Sequence, residues 1–173
     1  MSTSSSLPRN PPIDPAMTNN DVLRRIRYTF DFSDEEMMAL FTRGGRDATR
    51  AEVSDWLKRD EDAAFQPLAD VDLARFLDGL IIAKRGPRPG PPRPPETTLT
   101  NNIILAKLRI ALSLRSEDVI ELLASAGFVV SAHELSALAR KPSHRSYRPC
   151  QDQLLRKLLQ GIQARYRDGE PEG

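Results

Sequence analysis

Apolar residues fall every three to four positions along this chain, in short bursts separated by polar caps. Val22, Leu23, Ile26 and Phe30 share one face of a 3.6-residue period, which predicts an amphipathic helix. A second helix opens at Ser33-Asp34-Glu35-Glu36, where carboxylates suit the positive end of the helix dipole. It carries Met37, Met38, Leu40 and Phe41 and stops near Gly44-Gly45. A third opens with Thr49-Arg50-Ala51-Glu52. This is a capping box, in which the hydroxyl takes the N3 amide and the carboxylate reaches back to the cap amide. Val53, Trp56 and Leu57 follow. A fourth helix starts at Asp70 and carries Leu73, Phe76, Leu77 and Leu80. No stretch alternates for long in the manner of a strand, and "FVVS" at 128–131 is too short to change the class. The fold class is all-α.

The whole pattern then returns. "TNNDVLRRIR" at 18–27 reappears as "TNNIILAKLR" at 100–109, an offset of 82 that holds without a gap for about seventy residues. Leu23 meets Leu105, Glu35 meets Glu117, Gly45 meets Gly127, Pro67 meets Pro149 and Asp70 meets Asp152. The second copy has its own capping box, Ser131-Ala132-His133-Glu134, followed by Leu135, Leu138 and Ala139, and its own fourth helix with Leu155, Leu158, Leu159 and Ile162. Chance apolar coincidence does not also pair glycines, prolines and caps, so the chain is an internal duplication of a four-helix unit. Residues 1–17 read as a disordered tail rich in Ser and Pro, 18–86 as the first repeat, 87–99 as a Pro-rich linker, 100–168 as the second repeat and 169–173 as a tail. The proline run "GPRPGPPRPPE" at 86–96 favours extended polyproline II, as a spacer or as a ligand for Pro-reading domains.

Two duplicated features have structural roles. Asn19 and Asn101 are the expected N-caps of the first helices, beside the caps Thr49 and Ser131 of the third. The other asparagine of each pair is left to bridge to a neighbouring loop or to a ligand. Gly79 and Gly161 lie inside the fourth helices, where glycine costs about 1 kcal/mol against alanine. A costly choice made twice implies close helix approach. The arrangement it suggests has the two fourth helices crossing at their glycines and joining the copies into one pseudo-symmetric body.

The tandem openings resemble the YehS-like bacterial family catalogued as domain of unknown function 1456. So do "FLDGLIIAKRG" at 76–86 and "LRKLLQGI" at 155–162. The resemblance covers about residues 17–167, and the proline linker and N-terminal tail are additions to it. It implies a duplicated small domain and supplies no catalytic or binding residue to carry over. Residues 105–140 are also similar to a lambda-repressor-like helix-turn-helix, with its "LRIALSL" opening, acid-started second helix and capped third helix. The connection between the last two exceeds the 3–4-residue turn of that motif. His133, Ser136 and Arg140 are the expected exposed residues of the third helix, a poor set for reading bases.

Charge separates the copies. Residues 18–86 carry 11 Lys+Arg against 14 Asp+Glu, and residues 100–168 carry 11 against 6, so the overall balance of +1 hides halves of −3 and +5. The contrast peaks after the third helix. "LKRDEDAAFQ" at 57–66 becomes "ARKPSHRSYR" at 139–148, which clusters Arg140, Lys141, His144, Arg145 and Arg148 around Tyr147. Basic residues interleaved with hydroxyls and an aromatic suit phosphate contact, so one reading is an RNA or DNA backbone site. The other is a solvated basic loop, or one facing the acidic loop of the other copy. Tyr147 aligns with Phe65, which favours an anchoring role over a stacking platform.

Other chemistry is sparse. The composition, 39% hydrophobic and 28% charged over 173 residues, fits one ordinary domain or two small ones. No run approaches the ~18 apolar residues of a membrane span, and residues 1–17 lack the apolar core of a secretory signal. A cytoplasmic protein without a membrane partner is expected. The lone Cys150 and the histidines 133 and 144 give no zinc set. No phosphate-binding loop or nucleophile elbow occurs, and Asp60-Glu61-Asp62 reads as a solvated turn. The expectation is a non-enzymatic protein without cofactor or metal. It is either a regulatory or interaction module that binds nucleic acid through the second repeat, or a protein-binding adaptor or homo-oligomer that uses its acidic and basic halves.

Overall fold

The computed structural model describes residues 16–169, and among them every regular element is helical. The first repeat consists of α1 (Asn19–Phe30), α2 (Asp34–Arg43), α3 (Arg50–Leu57) and α4 (Asp70–Arg85). The second consists of α5 (Asn101–Leu112), α6 (Ser116–Ser125), α7 (Ala132–Leu138) and α8 (Asp152–Gln163), which runs on into a π-helical turn, Ala164–Asp168. Residues 1–15 and 170–173, which make up most of the two expected tails, lie outside the described residues. Met17 does not belong to a tail: it is half-buried against the core and donates its N–H to Asp152 at 3.1 Å.

The caps of α3 and α7 form as the sequence predicts, with Thr49 and Ser131 each in a complete capping box. Asn19 and Asn101 do not cap. Thr18 and Thr100 do, accepting the N–H groups of Asp21 and Ile103 at 3.0 and 3.2 Å. Threonine already satisfies the orphan amide one residue earlier, so each asparagine enters the first turn and its side chain is free to reach across the fold. The first helices end at Asp31 and Ser113, both in the left-handed region at φ 54° and 56°. The second helices end through Gly45 and Gly127, at φ 96° and 82°, where glycine avoids the Cβ clash.

The glycine contacts correct the predicted crossing. A Cβ on Gly79 would lie 1.8 Å from the carbonyl oxygen of Leu40 in α2, and one on Gly44 would lie 1.7 Å from that of Arg75 in α4. Gly161 would meet the Leu122 carbonyl of α6 at 2.3 Å. The close approaches are therefore real but lie inside each repeat, between its second and fourth helices, and the two fourth helices do not cross at their glycines.

What joins the repeats is an exchange. α4 packs along α5 and α1 along α8, so each fourth helix lies on the other repeat's first helix. Polar contacts follow the same two-fold logic. Asp70 accepts the N–H of Leu99 at 2.9 Å, and its counterpart Asp152 accepts that of Met17 at 3.1 Å, again 82 residues apart. Arg85 binds the hydroxyl of the Ser113 cap, while Arg167 reaches the carbonyl of Tyr28 at 2.6 Å and lies 3.9 Å from the Asp31 carboxylate. Lys107 adds ion pairs to Asp78 and to Glu96 of the proline linker, at 2.5 and 3.1 Å. The end of that linker is therefore tied down. The hydrophobic core runs continuously through both repeats.

Candidate functional site

The basic segment 139–150 of the second repeat leaves α7 and returns to α8 through two successive turns. His144 donates its N–H to Lys141 and Tyr147 its N–H to His144, at 2.8 and 2.9 Å. Two adjacent side chains hold this loop. Asn102 donates to the carbonyls of Leu138 and Arg148 at 2.9 and 2.8 Å and accepts the Cys150 N–H at 2.8 Å. Its neighbour Asn101 donates to the Cys150 carbonyl at 3.0 Å and to the Asp152 carboxylate at 2.6 Å. In the first repeat Asn20 makes the equivalent bonds to Trp56, Gln66 and Leu68, and Asn19 those to Leu68 and Asp70. The asparagine pairs are loop clamps, and both members bridge.

On this frame Arg140, Lys141, His144, Arg145 and Arg148 are all exposed, and Tyr147 is half-buried. Among the described residues none of the four Lys and Arg side chains is ion-paired to a carboxylate. Arg148 donates only to the adjacent Tyr147 carbonyl, at 3.1 Å. His144 turns Nδ1 inward to accept the Ser146 N–H at 2.9 Å, which leaves Nε2 to the solvent side. In the first repeat two cations near this loop, Lys58 and Arg24, are paired, while Arg59 has no carboxylate partner among the described residues. Lys58 pairs with Asp55 at 3.0 Å, and Arg24 bridges Asp21, Asp60 and the Lys58 carbonyl at 2.7, 3.2 and 2.6 Å. Asp60 thus answers Arg24 of its own repeat and not the basic loop. Asp62 accepts the Ala64 N–H within its own turn at 2.8 Å.

The helix-turn-helix likeness weakens on inspection. Residues 126–131 separate α6 from α7, and α7 has only seven residues, ending at Leu138. Arg140, expected on the third helix, lies beyond it in the loop; His133 and Ser136 are exposed on α7. Cys150 is buried, and desolvation, with the charge of Asp152 second, pushes its thiol up to about 12. It is a small core side chain. Among the described residues no three His, Cys, Asp or Glu side chains stand together as a metal set, and no helix is long and apolar enough to cross a membrane.

The family described as "Protein of unknown function (DUF1456)" matches this chain twice, over residues 19–86 and 101–168. The Escherichia coli (strain K12) protein named "Uncharacterized protein YehS" is 39% identical over 150 residues, covering 86% of this chain and 96% of its own. No solved structure matches. The two family matches coincide with the two helical repeats, and the chain belongs to the DUF1456 family.

Proposed function

We propose that the protein is a non-enzymatic interaction module that holds the phosphate backbone of RNA or DNA on the 140–148 loop of its second repeat. The observation that carries this reading is the state of the loop's cations. Arg140, Lys141, Arg145 and Arg148 are exposed and without a carboxylate partner among the described residues, on a backbone clamped by Asn102. Cations on a fixed backbone meet phosphate without first breaking an internal ion pair, although their side chains must still be ordered. The first repeat, with its acids at the same loop, serves as the scaffold. The short α7 and the long turn before it suit backbone contact better than base reading in a major groove. Single-stranded and duplex RNA are therefore the substrates to test beside duplex DNA.

Engagement of three to four phosphates predicts a slope of log affinity against log salt of about −3 on duplex DNA. The variant with Arg140, Lys141, Arg145 and Arg148 all changed to alanine is expected to flatten that slope toward zero at unchanged helical content. Lys58→Ala with Arg59→Ala is expected to change it far less. Absence of salt-dependent binding by the wild type to all three substrates, at micromolar protein and about 50 mM salt, would refute the proposal.

A further inference from the structure

Beside the cationic loop, between α5 and α7, runs an open groove of about 320 Å³. Ala106, Arg109 and Ile110 line it above the buried Leu105, Leu114 and Leu138. Ile110 is left 52% exposed there. The groove exists because side chains shrink between the repeats. At the offset of 82, Arg24 becomes Ala106, Tyr28 becomes Ile110, Phe32 becomes Leu114, Trp56 becomes Leu138 and Leu57 becomes Ala139. In the first repeat Trp56 is 6% exposed and packs on Phe41 at 5.1 Å, Arg167 covers Tyr28 at 3.9 Å, and Arg24 spans the gap to the Lys58 carbonyl. Trp56 and Arg24 thus occupy in the first repeat space that Leu138 and Ala106 leave open in the second, while Tyr28 and Ile110 are both exposed, Tyr28 at 46%. The second repeat thereby leaves an open, partly apolar groove where the first has larger side chains, room that a partner side chain can occupy.

We infer that this groove docks an acidic amphipathic helix of a partner protein. The length fits. The lining positions on α5, from Asn102 to Ile110, span about two helical turns, and a third helix laid between α5 and α7 would seat anchors at i, i+3 or i+4, and i+7. The missing side chains are aromatic or long, so a large apolar anchor takes the space that Trp56 fills in the first repeat. The charge also fits. Arg109 lies in the groove, and Arg140 and Arg148 follow directly on its α7 end and its Asn102 end, so the helix's outer flanks are acidic. This inference does not rest on nucleic-acid binding.

The probe is a labelled helical peptide of about 16 residues, with Trp and Leu at the anchor positions and Glu on the flanks. Its controls are a version with Lys for Glu and one with Ala for the anchors. Fluorescence anisotropy with the full chain is expected to give micromolar binding of the acidic peptide and none of either control. Ala106→Arg restores the first repeat's residue at an exposed position and is expected to weaken binding at least tenfold at an unchanged thermal midpoint. Leu138→Trp is expected to do the same where it folds. Ala106→Met, which fills the groove without adding charge, is expected to weaken peptide binding and leave RNA and DNA affinity unchanged, which separates the groove from the phosphate site. No binding by the wild type, equal binding of the lysine peptide, or indifference to Ala106→Arg would overturn the inference. Loss of nucleic-acid affinity in Ala106→Met without peptide binding would assign the groove to nucleic acid instead.

Discussion

Replacing Asn20 or Asn102 with alanine isolates the duplicated clamp. In each case one side chain makes three hydrogen bonds to a loop 36 to 48 residues away, so the substitution deletes three bonds without touching a helix cap. Each such bond contributes about 0.5–1.5 kcal/mol net, and more is lost when the abandoned groups stay out of water. Asn20 is 3% exposed, and its bonds to Trp56 and Leu68 are buried. Asn102 is half-buried, and its bond to Arg148 is exposed, so water can replace that bond. We expect Asn20→Ala to cost about 3–4 kcal/mol and Asn102→Ala about half as much. For a chain of this length that corresponds to roughly 6–15 °C and 3–8 °C in thermal midpoint. Hydrogen exchange should speed up at the amides of Leu68 and Cys150 respectively, since each loses its acceptor. Asn20→Asp keeps that acceptor but sets a carboxylate against two carbonyls, and should be no better than alanine. A loss below about 1 kcal/mol in Asn20→Ala, or larger damage from Asn102→Ala than from Asn20→Ala, would refute the burial argument.

Three further outcomes follow from the packing and the electrostatics. Gly79→Ala should destabilise by about 2–4 kcal/mol in urea titrations, because its Cβ would stand 1.8 Å from the Leu40 carbonyl and the helix-propensity gain of about 1 kcal/mol cannot offset this; a gain in stability would show that α2 and α4 separate freely. The Glu52 carboxyl is held down to about 2, first by the Arg46 guanidinium and then by the Thr49 backbone N–H. A depressed carboxylate stabilises above its ordinary value of 4.5 and loses that contribution as pH falls toward 2, so Glu52→Gln should shallow the decline of the thermal midpoint across this window, and parallel curves would count against it. Cys150, with its thiol raised, should resist disulfide reagents at neutral pH and react in step with denaturant-induced opening; immediate labelling of the native protein would contradict its burial.

Periodicity made the eight helices legible, because each repeat buries one apolar face per helix, opens helices with caps such as Ser33, Thr49 and Ser131 and ends its second helix at Gly45 or Gly127. The glycines announced close approach but not its partner. Gly79 could face any helix, and only the tertiary arrangement selects Leu40 and Gly44. The asparagines misled for a related reason. Asn19 and Thr18 are both good caps, and what decides between them is an acceptor set at Leu68 and Asp70, about fifty residues downstream. The matching of Asp70 with Asp152 was the available signal, since a duplicated acid beside a duplicated amide invites a bond. The basic loop was visible as composition. The groove beside it was not, because five reductions in side-chain size look harmless until α5 and α7 are seen to lie on either side of them.

The geometry of exchange also explains where the repeats were free to diverge. On α5 the residues turned toward α4 and the core include Ile104, Lys107, Leu108 and Ala111, whereas the groove uses Asn102, Leu105, Ala106, Arg109 and Ile110. Apart from Leu105, which is also in the core, these are different faces of one helix, so a change at Ala106 leaves the α4 contacts of Lys107 intact. Reciprocal contacts are less tolerant. Asp70 and Asp152, and Arg85 and Arg167, each serve the opposite repeat, so losing one breaks half of a paired closure. A four-helix unit in which each first helix lies on the other unit's fourth cannot cover its apolar faces alone. The acidic repeat therefore remains necessary even if every ligand binds to the basic one. With Trp56 packed on Phe41 and Arg24 bridging to the Lys58 carbonyl, the first repeat is the more filled form of the same architecture.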